Sequence, residues 1–139
     1  MGRVVVTAKV ENLGDLYDLA KGRLSDEGVR RVEVTDALVD TAATTLSLPK
    51  RLIDQLGLQM VRQRMARTSA GTVAVRVFGT VKLTIQERDC PCDVVEVPDD
   101  CQVLIGQIPL ESMDWVVDPL NRRLIGNPEH GGEHIIELY

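Results

Sequence analysis

A run of alternating residues between positions 73 and 85 constrains the fold of this 139-residue chain more than any other feature. Every second residue of the run is Val, Gly, Leu or Ile, and a period of two is typical of a β-strand with one apolar face. Gly79 falls in phase on that face, where a bend or bulge would let one long strand turn a corner. Residues 61–67 predict the preceding strand. The hairpin tip between the two strands consists of Thr68, Ser69, Ala70 and Gly71.

Shorter patterns predict further strands along the rest of the chain. Apolar residues at 4, 6, 8 and 10 alternate with polar ones, which is typical of a half-buried first strand. Residues 29–40 have strong β-propensity and predict a second strand. The remaining predicted strands lie at 93–98, 103–105, 115–117, 123–125 and 135–139.

Short helices are predicted at two places. Pro49 opens a helix of about two turns, with Ser47 as its N-cap and Gly57 at its end. Residues 109–113 predict one or two further helical turns. The segment 15–29 is polar and is interrupted by two glycines, which favours a loop.

The composition fits a single, mostly β domain that covers residues 1–139. Hydrophobic residues make up 44% of the chain and aromatic residues only 3%, so the core must consist of Val, Leu, Ile and Ala. The net charge of −5 argues against a nucleic-acid partner, and the arginines at 62–67 are interpreted as charges on exposed strand faces. No segment has the apolar length of a signal peptide or a membrane span, so we expect a cytoplasmic protein without a membrane partner.

Asp40 lies at the centre of an apolar and β-branched stretch, ALVDTAATTLSLP, at residues 37–49. A buried ionised carboxylate is costly unless it is paired, hydrogen-bonded or neutralised. Either the strand ends at Asp40 and its carboxylate meets water, or the protein uses this carboxylate for its chemistry.

The segment Asp40-Thr41-Ala42-Ala43 resembles the Asp-Thr/Ser-Gly-Ala signature of retropepsin-like aspartic proteases, the single-lobe type found in retroviruses and in many bacterial proteins. Further resemblances follow in the family's order. The segment Leu46-Ser47-Leu48-Pro49 leads into a helix, and Ala70-Gly71 lies at a hairpin tip where the family has its flap. Leu104-Ile105-Gly106 is similar to the hydrophobic-hydrophobic-Gly element that closes the active-site framework.

This resemblance covers residues 29–126 and implies an all-β fold. The expected architecture is a closed, barrel-like single lobe with one or two short helices and a β-hairpin flap. The helix around Leu110 and the hairpin at 115–124 also fit that family. No metal and no organic cofactor are implied.

The resemblance also implies a homodimer, because one Asp per chain cannot supply the two carboxylates of the aspartic mechanism. Asp40 of each subunit would meet its copy at a two-fold axis, where the pair shares a proton. The charged member would deprotonate a water, and the protonated member would polarise the scissile carbonyl. Thr41 is expected to hydrogen-bond to the backbone of the opposite subunit. Residues 66–75 would close as a flap over a peptide or unfolded-protein substrate.

Ala42 departs from the family, which has Gly at this position, and the resemblance is to a bacterial-type member with Asp-Thr-Ala-Ala. Gly in such a place often marks an unusual backbone angle or a close approach. Two functions remain open: an active aspartic endopeptidase with an altered substrate preference, and a weakened homologue that serves as a dimeric peptide-binding module. Asp36 is interpreted as a solvent or dimer-face residue rather than a second catalytic acid.

The three cysteines, Cys90, Cys92 and Cys101, raise the alternative of a zinc site together with His130 and His134. Structural zinc sites favour Cys-x₂₋₄-Cys spacing, and Cys-x-Cys places its sulfurs awkwardly around one tetrahedral ion. An odd number of cysteines also argues against a disulfide framework. We therefore interpret the cysteines as free and buried, with neither a metal nor a nucleophilic role.

Overall fold

The computed structural model describes residues 3–138, and strands dominate them. The strands are β1 Val5–Asn12, β2 Arg31–Val39, β3 Leu46–Pro49, β4 Gln59–Thr68, β5 Gly71–Ile85, β6 Arg88–Val97, β7 Leu104–Ile105, β8 Trp115–Asp118 and β9 Arg123–Gly126. The α-helices are α1 Leu13–Ala20, α2 Lys50–Leu56 and α3 Gln107–Ser112. Short 3₁₀ turns lie at Asp26–Gly28 and Pro128–His130.

Six strands form a closed ring of pairings in the order β1-β2-β7-β3-β6-β5, and β5 pairs back to β1. The pairs β2–β7 and β3–β6 are parallel, and the other ring pairs are antiparallel. β4 pairs with β5 outside the ring, and β8 with β9 forms a separate hairpin. These pairings confirm the predicted all-β, closed architecture with few short helices.

The long strand β5 contains a bulge at the position of Gly79. The register with β6 shifts between Phe78 and Val81, so the strand carries one extra residue there. Val81 lies in the core and Phe78 packs against it, although an odd number of positions, three, separates them along the strand. The predicted bulge is therefore confirmed, but the alternating run does not keep one face. Residues 81–85 turn their apolar side chains inward, whereas residues 73–77 turn theirs to the opposite face.

The core is aliphatic, as the composition predicts. Its largest fully buried side chains come from β1, β3, α2, β5, β6, β7 and α3 and from the residue after α3. They are Val10, Leu46, Leu48, Ile53, Leu56, Val81, Leu83, Ile85, Val94, Ile105, Leu110 and Met113. Burial of each such side chain contributes about 1.5–3 kcal/mol, which makes the ring interior the main source of stability.

The segment after β1 differs from the prediction, because helix α1 begins at Leu13 where we expected a loop. The Asn12 side chain accepts a hydrogen bond from the Asp15 backbone N–H at 3.0 Å and caps the helix. Asp15 in turn accepts hydrogen bonds from the backbone N–H of Arg30 at 2.9 Å and from its guanidinium at 2.9 and 3.0 Å. A contact between residues fifteen positions apart thus stabilises this short helix, which contains Gly14.

Three other predictions need correction. Ser47 is not the N-cap of α2, because it lies in β3 and Pro49 occupies the cap without a side-chain hydrogen bond. The strand predicted at 93–98 is longer and begins at Arg88. The strand predicted at 135–139 is absent from residues 135–138, and Tyr139 lies outside the described residues. Gly57 does end α2, in the left-handed conformation with φ of 64°.

Within residues 3–138, no helix is both long and apolar enough to cross a membrane.

Candidate active site

Asp40 follows directly on the last residue of β2, at the point where that strand meets β7. Leu38 and Val39 pair in parallel with Leu104 and Ile105. The backbone N–H of Asp40 donates to the carbonyl of Ile105 at 2.9 Å and extends this pairing by one residue. This short stretch of parallel pairing between β2 and β7 fixes the position from which the Asp40 side chain projects.

The four residues Asp40, Thr41, Ala42 and Ala43 form a tight turn. The carboxylate Oδ1 of Asp40 accepts a hydrogen bond from the backbone N–H of Ala42 at 3.0 Å, and the Asp40 carbonyl accepts one from Ala43 at 3.0 Å. A short acidic side chain that bonds to the backbone two residues later stabilises such a turn. Asp40 is half-buried, whereas Thr41 and Ala42 are exposed. The carboxylate therefore has one fixed oxygen and remains within reach of solvent.

The start of α3 holds the turn from the other side. The backbone N–H groups of Gly106, Gln107 and Ile108 donate to the carbonyls of Thr45, Ala43 and Thr44, each at 2.9 Å. These three bonds fix the carbonyls that follow the Asp40 turn. The predicted framework element, Leu104, Ile105 and Gly106, thus lies directly against the predicted turn.

Gly106 is required for this close approach. A Cβ atom on it would lie 2.5 Å from the carbonyl oxygen of Thr45 and 2.7 Å from that of Ala43. Its φ of −90° is open to every residue type, so the constraint is steric. Position 106 in the predicted framework therefore requires glycine, because any side chain would collide with these two carbonyl oxygens.

Ala42 has an ordinary backbone conformation. Within residues 3–138, the non-glycine residues with positive φ are Gln86, Glu87, Asp114 and Arg122. Because Ala42 is not among them and is exposed, its methyl group is accommodated without backbone strain.

The hairpin tip, Thr68 to Gly71, lies at the end of an exposed arm, which we define as residues 59–76. The Thr68 hydroxyl donates to the Gly71 carbonyl at 2.8 Å and accepts from the Ala70 backbone N–H at 3.2 Å. Gly71 has φ of +119°, which favours glycine. Ala66 and Val75 are partly buried, and every other residue of the arm is exposed. The predicted tip is thus a turn, carried by a ribbon that projects from the ring.

Several residues that hold the Asp40 turn were not predicted from the sequence. Thr44 and Thr45 provide carbonyls for α3, and the Thr45 hydroxyl donates to the Asp93 carbonyl at 2.9 Å. Gln107 and Ile108 supply two of the N–H groups. No local pattern distinguishes these residues from ordinary loop residues, since their partners lie far away in the sequence.

Asp36 lies four residues before Asp40 on the same strand and is exposed. The rise of a strand separates two such residues by about 13 Å, which is too far for both carboxylates to bind one water. Three surface depressions of about 500 to 700 Å³ are lined by other parts of the chain, and Asp40 lines none of these three.

Cys90 and Cys92 are buried and free, whereas Cys101 is exposed, which corrects the expectation that it is buried. The hydrogen bond with Cys90, together with burial, raises the pKa of the Cys92 thiol well above its usual range. A thiol in that state is a poor nucleophile. Within residues 3–138, no three His, Cys, Asp or Glu side chains are grouped as metal ligands.

Comparison with known families supplies the assignment. Residues 30–112 match the family described as "gag-polyprotein putative aspartyl protease". The chain belongs to this family. The matched segment contains the Asp40 turn, the arm and the β7–α3 framework, so the retropepsin-like resemblance is confirmed at the level of the family and its aspartyl protease class. Whether the chain is of the bacterial type stays a prediction. No curated protein matches the chain.

Proposed function

We propose that this chain is a homodimeric aspartic endopeptidase in which Asp40 is the catalytic residue of each subunit. The observation that carries the proposal is the Asp40 turn, which β7 and the start of α3 hold through backbone hydrogen bonds of 2.9 Å. Membership in an aspartyl protease family supports it. A half-exposed carboxylate on a fixed turn is suited to meet an identical carboxylate across a two-fold axis.

The mechanism follows from two carboxylates at close range. Like charges at a few ångströms disfavour double ionisation, so the pair holds one proton. The ionised Asp40 takes a proton from the bridging water, which attacks the scissile carbonyl carbon. The protonated Asp40 polarises the carbonyl oxygen, and a proton passes to the leaving amine as the C–N bond breaks. No metal or organic cofactor takes part in these steps.

Thr41 and Ala42 have the exposure that a contact between subunits requires. Among the hydrogen bonds of residues 3–138, none involves the Thr41 hydroxyl, so it is available to the partner subunit's backbone. The adjacent Ala43 carbonyl is already bonded to Gln107. The fixed Ala43 and the free Thr41 together support a dimer contact beneath the acid pair.

The arm is proposed to act as the flap. Its exposure on both faces and its tight tip at 68–71 leave it free to close over an extended peptide and exclude water. Peptides in such clefts pair with exposed strands through their backbone, which gives affinity with modest dependence on sequence.

A second candidate is a non-catalytic, dimeric peptide-binding module on the same fold. Ala42 motivates it, since the family has Gly there. The ordinary φ of Ala42 argues against a distorted turn and favours the enzyme. Replacing Ala42 with Gly should therefore leave activity within about a few-fold of the natural chain, because no backbone strain is relieved.

The decisive experiment measures hydrolysis of unfolded protein by the natural chain and by Asp40→Asn. We expect a loss on the order of 10²–10⁴-fold, since a neutral amide neither accepts nor donates the required proton. Asp36→Asn is the matched control and should keep its activity. Equal hydrolysis by the Asp40→Asn chain would refute the enzyme, and equal inactivity of both chains with retained peptide binding would favour the module.

The dimer is tested by dilution. Activity per chain should fall as the concentration drops below the dimer dissociation constant, in parallel with the sedimentation coefficient. A fully active monomer would contradict the shared site.

A further inference from the structure

The arm at 59–76 has a charge composition unlike that of the whole chain. All its charged side chains are arginines, whereas the chain has 21 acidic residues and a net charge of −5. The four residues are Arg62, Arg64, Arg67 and Arg76. The arm is therefore a basic projection on an acidic protein.

The arginines divide into a paired and an unpaired set. Arg62 donates to the Asp93 carboxylate at 2.8 Å, and Arg76 donates to the Glu96 carboxylate at 2.7 Å. Both ion pairs tie the base of the arm to β6. Arg64 and Arg67 lie nearer the tip, and no salt bridge within residues 3–138 involves either of them. Their charges face solvent.

Arg64 and Arg67 lie on opposite faces of the ribbon. Arg64 is paired across the strands with Val75, and Arg67 with Thr72, and paired residues share a face. A ligand on either face of the arm therefore meets one free guanidinium.

The arm also offers hydrogen bonds and apolar contacts to an extended ligand. β4 is the end strand of its sheet, so its outer edge has free backbone N–H and C=O groups. Large apolar side chains are also exposed along the arm near the arginines, and Met65 is 69% exposed. The others are Met60, Val61 and Val73. An edge of this kind adds a further strand from a bound peptide.

We propose that the arm selects extended peptide segments that carry Asp or Glu side chains next to apolar ones, with Arg64 and Arg67 binding the carboxylates. This inference rests on the proposed function and names its substrate class. A guanidinium forms bidentate hydrogen bonds with a carboxylate, which a neutral amide side chain does not match. The arginines act as specificity residues and take no part in the chemical step.

Binding to the full-length Asp40→Asn chain tests the inference without cleavage. The probes are two labelled peptides of equal length, one with Glu and the other with Gln at every third position and Leu elsewhere, read by fluorescence anisotropy. Because side chains three residues apart lie on opposite faces of an extended strand, the Glu peptide can reach both Arg64 and Arg67. Each exposed pair is expected to tighten binding on the order of threefold, so the Glu peptide should bind about tenfold tighter. At 1 M salt the preference should disappear, because the Debye length falls to about 3 Å.

The preference should be lost in a chain that also carries Arg64→Gln and Arg67→Gln. Arg122→Gln is the matched control, since Arg122 is exposed and lies on the β8–β9 hairpin away from the arm, and it should keep the preference. Thermal melting of each variant checks that the fold is intact.

Equal binding of the two peptides, binding of neither, or a preference that survives in the double variant would overturn the inference. A single-stranded oligonucleotide that binds the arm as tightly as the Glu peptide would also overturn it, since the arm would then be a general polyanion surface. If instead the proposed enzymatic function is wrong, the experiments give a different result. The natural chain would then hydrolyse nothing, while the Glu peptide would still bind with its Arg64- and Arg67-dependent preference.

Discussion

The Asp40 turn extended by Thr44 and Thr45, called the turn at 40–45 below, and the arm at 59–76 differ in how the rest of the molecule holds them. The start of α3 binds three successive carbonyls of the turn through the N–H groups of Gly106, Gln107 and Ile108. The arm is held by the pairing of its own two strands and by ion pairs at its base, and it is exposed on both faces. In the proposed dimeric enzyme, an acid that meets its copy needs a fixed position, whereas an arm that closes over a ligand needs freedom. The difference between the two regions supports that proposal.

The largest expected effect comes from Gly106→Ala. The new Cβ would lie 2.5 Å from the Thr45 carbonyl, so α3 must move away from the turn. We expect the free energy of unfolding in urea to fall by about 3 kcal/mol or more, with a loss of hydrolysis larger than the loss of folded protein.

Gly71→Ala is the matched change on the arm. It imposes strain at φ of +119°, but no atom lies within 4 Å of the new Cβ. The free energy of unfolding should fall by about 1 kcal/mol, because the hairpin tip can relax locally. If Gly71→Ala destabilised the chain as much as Gly106→Ala, the contrast between a tightly held turn and an exposed arm would fail.

A pair of threonines sharpens the comparison at a smaller scale. Thr45→Val removes the hydroxyl that donates to the Asp93 carbonyl at 2.9 Å, in a partly buried setting, and should cost about 1 kcal/mol. Thr68→Val removes the exposed hydrogen bonds of the tip and should stay within about 0.5 kcal/mol. Urea denaturation of both variants measures the difference, and a larger effect at Thr68 would reverse our ranking of the two regions.

The smallest expected effect concerns pH and the residues after β9. His130 Nδ1 lies 2.6 Å from the Asp114 carboxylate, and its Nε2 lies 2.9 Å from that of Glu137. These two hydrogen bonds raise the pKa of His130 above its usual value. The stability that protonated His130 contributes to the folded chain is therefore complete below about pH 6.5, and it is lost as the pH rises through the pKa of His130 in the folded state.

Hydrogen-exchange protection of residues 133–137, corrected for intrinsic exchange, should accordingly fall between pH 6 and 9. The turn at 40–45 should show no such change, because both histidines of the chain lie at 130 and 134. His130→Gln should abolish the pH dependence, and His134→Gln is the control that should retain it. The pKa of Asp114 is lowered by the hydrogen bond with His130, so its own contribution is lost only in acid, below about pH 4. If the hydrogen-exchange protection of residues 133–137 did not change with pH in the natural chain, the role of His130 in holding these residues would be refuted.

The sequence predicted the parts of the site that have a local signature. Asp40 follows a strand of strong β-propensity, and Gly71 ends a short turn sequence between two predicted strands, so both positions were predictable. α1 was missed because Gly22 and Gly28 favoured a loop over the segment 15–29, and because the ion pair that supports the helix, Asp15–Arg30, depends on a residue fifteen positions away. The carbonyls of Thr44 and Thr45 have no side-chain signal at all.

The sequence by itself determined the positions of the strands other than β3, where the hairpin turns and which carboxylate lies in an apolar stretch. The hydrophobic period, the β-propensity and the residues typical of turns all act between residues that are close in the sequence, so they can be read from it directly. The tertiary structure alone decided that β5 closes the ring on β1, that the bulge at Gly79 divides an alternating run between two faces, and that α3 lies against the Asp40 turn. Those outcomes depend on backbone hydrogen bonds and packing between segments that are distant in the sequence. Backbone N–H and C=O groups are nearly the same in every residue, so the sequence does not show which of them will pair.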